Sequence, residues 1–154
     1  MGTEVNIKRA GIESYTSQEI SQLKEVRTSI EMPRKDTVMQ KVIGVDTGDI
    51  QMDLKAYLNS TNRETGARCD CKIYGFVAKA SDAAPFMNTP QQCYDNLRLD
   101  YTDTLYKDPD QAVYLVRYTG DPGKYSVPFG KEFGGNRTDD PPFTGNGFTE
   151  VRST

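Results

Sequence analysis

No histidine occurs anywhere in the 154 residues. That absence removes Ser-His-Asp and Cys-His nucleophiles, the His-dependent ribonuclease mechanisms, His-ligated nucleases and the zinc deaminases. An enzyme built from this chain must work with Glu, Asp, Tyr, Ser, Arg, Lys and Gln. Cysteine is sparse: Cys69, Cys71 and Cys93 are an odd number, which argues against a complete disulfide framework. A tetrahedral zinc site would have to recruit a carboxylate beside the Cys69-Asp70-Cys71 thiols, so no metal is expected. An excess of basic residues is also missing. Lys and Arg total 19 against 22 Asp and Glu, for a net charge of −3. This argues against a generic grip on nucleic acid, which needs basic surface to displace counterions. It leaves room for an enzyme that touches RNA through a small local patch. No apolar run approaches the roughly 18 residues of a membrane span. The N-terminus lacks the pattern of a signal peptide, and Asn6 stands where a myristoylation signal wants Ser or Thr. Met1 reads as a start codon added to an excised domain.

What is present suits one compact α+β domain over 1–154. Val38 to Val45 reads as a strand, with Met39, Lys41, Ile43 and Val45 on one face and Val38, Gln40, Val42 and Gly44 on the other. Both faces are largely apolar, so the strand is expected to be buried on both sides, with Gln40 and Lys41 as polar interruptions that must find a partner or a job. Asp49 to Leu58 reads as a helix whose Ile50, Leu54, Tyr57 and Leu58 form one apolar stripe. Thr16-Ser17-Gln18-Glu19 is a capping box for a helix running to about Ile30, and Thr89-Pro90-Gln91-Gln92 is a second box with Pro at the first helical position. Cys71 to Lys79 and Ala112 to Tyr118 read as further strands. Residues 1–15 read as a loose leading segment. Residues 119–147 read as a long Gly/Pro loop carrying Tyr125, Phe129, Phe133 and Phe143, and ordered loops of that length are often functional.

Several residues admit two readings. Arg117, on a half-buried strand, could grip a phosphate or pair with a carboxylate such as Asp100. Ser81-Asp82 could serve a site or cap the following element. Glu150 is a lone carboxylate after the Gly-rich loop, either catalytic or simply exposed. The glycines of 130–147 form neither a dinucleotide nor a Walker motif and could cradle phosphate or merely shape turns.

Five stretches, in order, resemble the C-terminal toxin domains of Rhs-type polymorphic toxins: 37–43 (TVMQKVI), 74–82 (YGFVAKASD), 97–101 (LRLDY), 113–118 (VYLVRY) and 142–149 (PFTGNGFT). The resemblance covers roughly 32–150, and the last stretch is its most specific part. It implies an antibacterial effector delivered by contact-dependent or type VI machinery into the cytoplasm of a target bacterium in interbacterial competition, and neutralised by a cognate immunity protein. Several such toxins are ADP-ribosyltransferase-like. The implied fold is then a mixed, mostly antiparallel split sheet with two or three helices. The implied activity is transfer of ADP-ribose from NAD to a target-cell protein, with the translation machinery as one source of targets, or NAD glycohydrolysis. Glu150 would stabilise the cation at the nicotinamide ribose and Ser81 would orient that ribose. Tyr74 or Phe148 would stack on nicotinamide, and Gln40, Lys41 and Arg117 would line the cofactor site, Arg117 or Lys41 holding the diphosphate. The sequence departs from the Arg-Ser-Glu pattern of that subgroup. Gln40-Lys41 replaces the early Arg, Ala80-Ser81 replaces Ser-Thr-Ser, and Phe148 replaces the first Glu of the Glu-x-Glu turn. The alternatives are a His-free ribonuclease toxin built around Lys41 and Arg117, cleaving tRNA or rRNA, and a non-enzymatic binding module using the aromatic loop.

Overall fold

The computed structural model describes residues 15–61, 66, 68, 73, 75–97, 99, 106, 112–127 and 151–153. Within them the chain runs α1 (Ser17–Ser29), β1 (Val38–Gly44), α2 (Ile50–Leu58), β2 (Gly75–Lys79), α3 (Ala80–Ala83), α4 (Pro90–Leu97), β3 (Val113–Thr119), a 3-10 turn (Pro122–Lys124), β4 (Tyr125–Ser126) and β5 (Val151–Ser153). The fold is α+β. All described strand pairs are antiparallel, in the order β3-β1-β2-β5-β4.

Local chemistry accounts for the helix ends. The Thr16 hydroxyl accepts from the Glu19 N–H while the Glu19 carboxylate accepts from the Thr16 N–H, a complete capping box at the start of α1. At α4 the box is half made. Thr89 Oγ1 accepts from the Gln92 N–H, but the Gln92 side chain accepts from the N–H of Asn88 rather than Thr89. Asp49 caps α2 by accepting from the N–H groups of Gln51 and Met52.

β1 is the axis of the sheet. It pairs with β3 over its whole length, from Val38↔Thr119 to Gly44↔Val113, and with β2 through Met39↔Lys79 and Gln40↔Ala78. Met39, Gln40, Val42 and Ile43 are all buried, as expected of a strand covered on both sides, while Val38 at its start is 44% exposed. One face packs Met39, Val77, Tyr125 and Val151 together, with Met32, Ile73 and Tyr118 around them. The other packs Val42 and Ala78 against Ala83, Met87, Cys93 and Leu99 of α3, α4 and their flanks.

The sheet cannot be flat. On a flat sheet β3 and β4, four intervals apart, would lie roughly 19 Å from each other at about 4.8 Å per interval. The link from Thr119 to Tyr125 includes a 3-10 turn, and with that turn rising only ~2 Å per residue its reach is roughly 16 Å. The sheet therefore curls, bringing Tyr118 of β3 against Tyr125 of β4. The Met39 face lies on the inside of this curl, and the Gln40 face lies outside, under α3 and α4.

Three expectations need correction. Ile50 is exposed, and the fully buried member of α2 is Asp53. The carboxylate is drawn inward because four donors wait for it, and a satisfied polar group outranks an apolar stripe with little to cover it. Ser81 does not cap a following element but sits within α3. The start of the segment 119–147 is not loop: Pro122 to Ser126 forms a turn and a strand, with Tyr125 buried. The rest of that segment, 128–147, and residues 1–14 lie outside the described residues. No described helix is long and apolar enough to cross a membrane.

Candidate functional site

Adjacent strand residues face opposite ways, and this separates two residues that the sequence grouped. Gln40 lies directly opposite Arg117 in the β1–β3 register, so both occupy the outer face; Lys41 occupies the inner one.

On the outer face Gln40 is 3% exposed. Its Oε1 accepts from Arg117 Nε at 3.0 Å, and its Nε2 lies 3.9 Å from the Met87 sulfur. A buried amide on a central strand needs such partners. The consequence for Arg117 is orientation. Its Nε is pinned, while its two terminal nitrogens engage no partner among the described residues. A guanidinium held this way presents a planar fork suited to carboxylate or phosphate. The carboxylate that the sequence offered as its partner, Asp100, lies outside the described residues. Ser81 rides on α3, which packs on this same face through Ala83; its exposed hydroxyl donates to Asp82 Oδ1 at 3.0 Å.

On the inner face Lys41 is half-buried and donates to the Phe76 carbonyl at 2.8 Å, beside Gly75. Gly75 has φ +81°, a value that favours glycine. Nearby, the Tyr118 hydroxyl is buried and closes no hydrogen bond among the described residues, although the hydroxyls of Tyr125 and Ser153 lie beside it. Burial, reinforced by Tyr125, pushes the Tyr118 phenol well above its ordinary range, so it stays a neutral donor. At the far end of this face Asp53, 4% exposed, accepts from the Asp46 and Thr47 N–H groups, the Thr47 hydroxyl and the Tyr114 hydroxyl. The Thr47 hydroxyl leads these bonds in holding the carboxyl down at about 2, against the burial that opposes it. With its acceptor sites taken, Asp53 anchors the β1–α2 turn and is not free to act as a base.

Of the residues singled out from sequence, the structure thus brings Gln40 and Arg117 into contact, places Ser81 on the same face, and puts Lys41 on the other. Glu150, Tyr74 and Phe148 lie outside the described residues. No group of three or more metal-ligating side chains occurs among the described residues. Two residues went unmarked in the sequence. Met87 closes the far side of Gln40, and its neighbour Phe86 is 57% exposed. An aromatic directly after Pro85, in a turn too short to bury it, was the available signal.

Compared with family models, with curated proteins and with solved structures, the chain finds no match in any of the three.

Proposed function

We propose that this chain is an antibacterial toxin domain that binds NAD on the outer face of its sheet and transfers ADP-ribose to a protein of the target cell. The observation that carries the reading is the Gln40–Arg117 contact, a buried amide fixing an exposed guanidinium whose two terminal nitrogens engage no partner among the described residues. Such a fork matches the diphosphate of a dinucleotide. The chemistry is compatible with a chain that has no histidine. The bond from C1′ of the ribose to nicotinamide breaks, and its electron pair neutralises the pyridinium nitrogen as nicotinamide leaves. A nucleophile of the target protein bonds to C1′ and loses its proton. Glu150 is assigned to the oxocarbenium-like transition state, where a fixed carboxylate acts by electrostatics. Ser81 is assigned to the ribose. With water as the nucleophile the same site is an NAD glycohydrolase.

The ribonuclease alternative asks Lys41 and Arg117 to share one site. Their placement on opposite faces of the sheet disfavours it, as does the net charge of −3. An immunity protein and a protein target remain the partners this reading calls for.

The test incubates the purified domain with labelled NAD in bacterial lysate and follows nicotinamide release and label on protein. Release with one labelled band is expected. Arg117→Ala should weaken binding of ADP-ribose roughly ten- to hundredfold, the scale of a charged hydrogen bond. Glu150→Gln should abolish turnover in a protein that still unfolds cooperatively. Neither release nor label from a folded sample would sink the reading.

A further inference from the structure

The proposed site has residues for the phosphates and the nicotinamide of a dinucleotide and none for its adenine. Phe86 stands in the link between α3 and α4 and is 57% exposed. The turn that carries it is tied down on both sides. Its N–H donates to the Ala83 carbonyl at 3.0 Å, and its own carbonyl accepts from Asn96 Nδ2 at 2.7 Å. The next residue, Met87, is buried and rests its sulfur against Gln40, which holds Arg117. Exposed aromatic and oriented guanidinium are therefore linked through one buried side chain and the Met87 it touches. Leu115, next to Arg117 on the same face of β3 and across from Val42, is 40% exposed.

Exposing a phenyl ring forgoes the burial that normally places Phe inside. Ordering the backbone beneath it keeps the ring where a flat ligand can meet it at little further entropic cost. We infer that Phe86 is a stacking platform for a nucleobase whose phosphates are held by Arg117. The inference rests on the NAD reading and deepens it: the ring supplies affinity from a π-face that any base offers, and the guanidinium supplies charge. Specificity for NAD over other nucleotides then lies elsewhere in the site.

The chain contains no tryptophan, so Phe86→Trp creates a single fluorescent reporter at the platform itself. Titration with NAD, ADP-ribose and AMP should quench it saturably, and the added substitution Arg117→Ala should shift the quench to roughly ten- to hundredfold higher concentration. Phe86→Ala should weaken ADP-ribose binding about tenfold by calorimetry, within the range of one base–aromatic stack. Absence of quenching while the wild-type protein still turns over NAD would overturn the platform and leave the transferase standing. Quenching by AMP and ADP-ribose in a protein whose wild-type form never turns over NAD would uphold the platform and overturn the transferase. Absence of both would overturn both, and a Phe86→Ala phenotype confined to loss of a protein partner would overturn the platform alone.

Discussion

The Asp53 carboxylate shows how far one residue can set local structure. Four donors from Asp46, Thr47 and Tyr114 converge on it and hold its folded pKa at about 2. Because the folded value is depressed below the ordinary carboxylate value of 3.8, the stability it contributes is fully present above that value. It is lost as the pH falls toward and through about 2. Asp53→Asn, whose amide nitrogen cannot accept, should lower the midpoint of thermal unfolding by several degrees at neutral pH and flatten the acid limb in that window. Thermal melts of both proteins across that window check this; parallel acid limbs would refute it. Gln40 poses the complementary case. Gln40→Leu keeps about the same volume, so the fold should survive, but Arg117 loses the acceptor that fixes its Nε. ADP-ribose binding should weaken severalfold with little change in melting temperature. An unaltered affinity would mean that Arg117 needs no orientation.

At the scale of elements, the link from β3 to β4 carries the curl of the sheet. A Cβ at Gly120 would run into the Tyr125 hydroxyl and approach the Tyr118 ring. Gly120→Ala should cost about 1–3 kcal/mol through overpacking, and Tyr125→Phe should recover part of it by removing the colliding oxygen. Additive denaturation free energies would show that the two sites are not in contact. These elements differ in how legible they were. Thr16 with Glu19 announces α1 because a capping box is local chemistry, and β1 and β3 announce themselves by β-branched runs. β4 does not, since Tyr125 and Ser126 are two residues in a stretch of Gly and Pro and become a strand only by pairing with Ser153 and Arg152. Asp53 was hidden for the same reason: its donor Tyr114 lies 61 residues away in sequence. The Gln40–Arg117 contact spans 77 residues. The sequence marked both Gln40 and Arg117 as anomalies, but only the register makes them partners.

For the whole molecule, the curl divides the sheet into an inner face that holds it together and an outer face with chemistry exposed. The inner face buries Met39, Val77, Tyr125 and Val151, with the Lys41 amine tied to the Phe76 carbonyl. The outer face offers Arg117, Leu115 and Phe86 to solvent above a buried Gln40. Stability and binding should therefore separate by face. Lys41→Met removes a charge-assisted bond at the β1–β2 junction and should lower stability by roughly 1–3 kcal/mol. It should leave ADP-ribose affinity unchanged in the folded protein. Arg117→Ala combined with Gln40→Leu, which leaves no buried amide oxygen without its donor, should do the reverse, because on the proposed reading the terminal nitrogens of Arg117 serve the ligand. Denaturation and calorimetry on the same two samples read both quantities. If Lys41→Met instead abolished nucleotide binding and Arg117→Ala left it intact, the ligand would belong inside the curl, among Tyr118, Tyr125 and Ser153. The Tyr118 hydroxyl, which closes no hydrogen bond among the described residues, would then be its first donor. The pattern across the two faces thus assigns ADP-ribose binding to one face or the other, independently of what the domain does with the nucleotide.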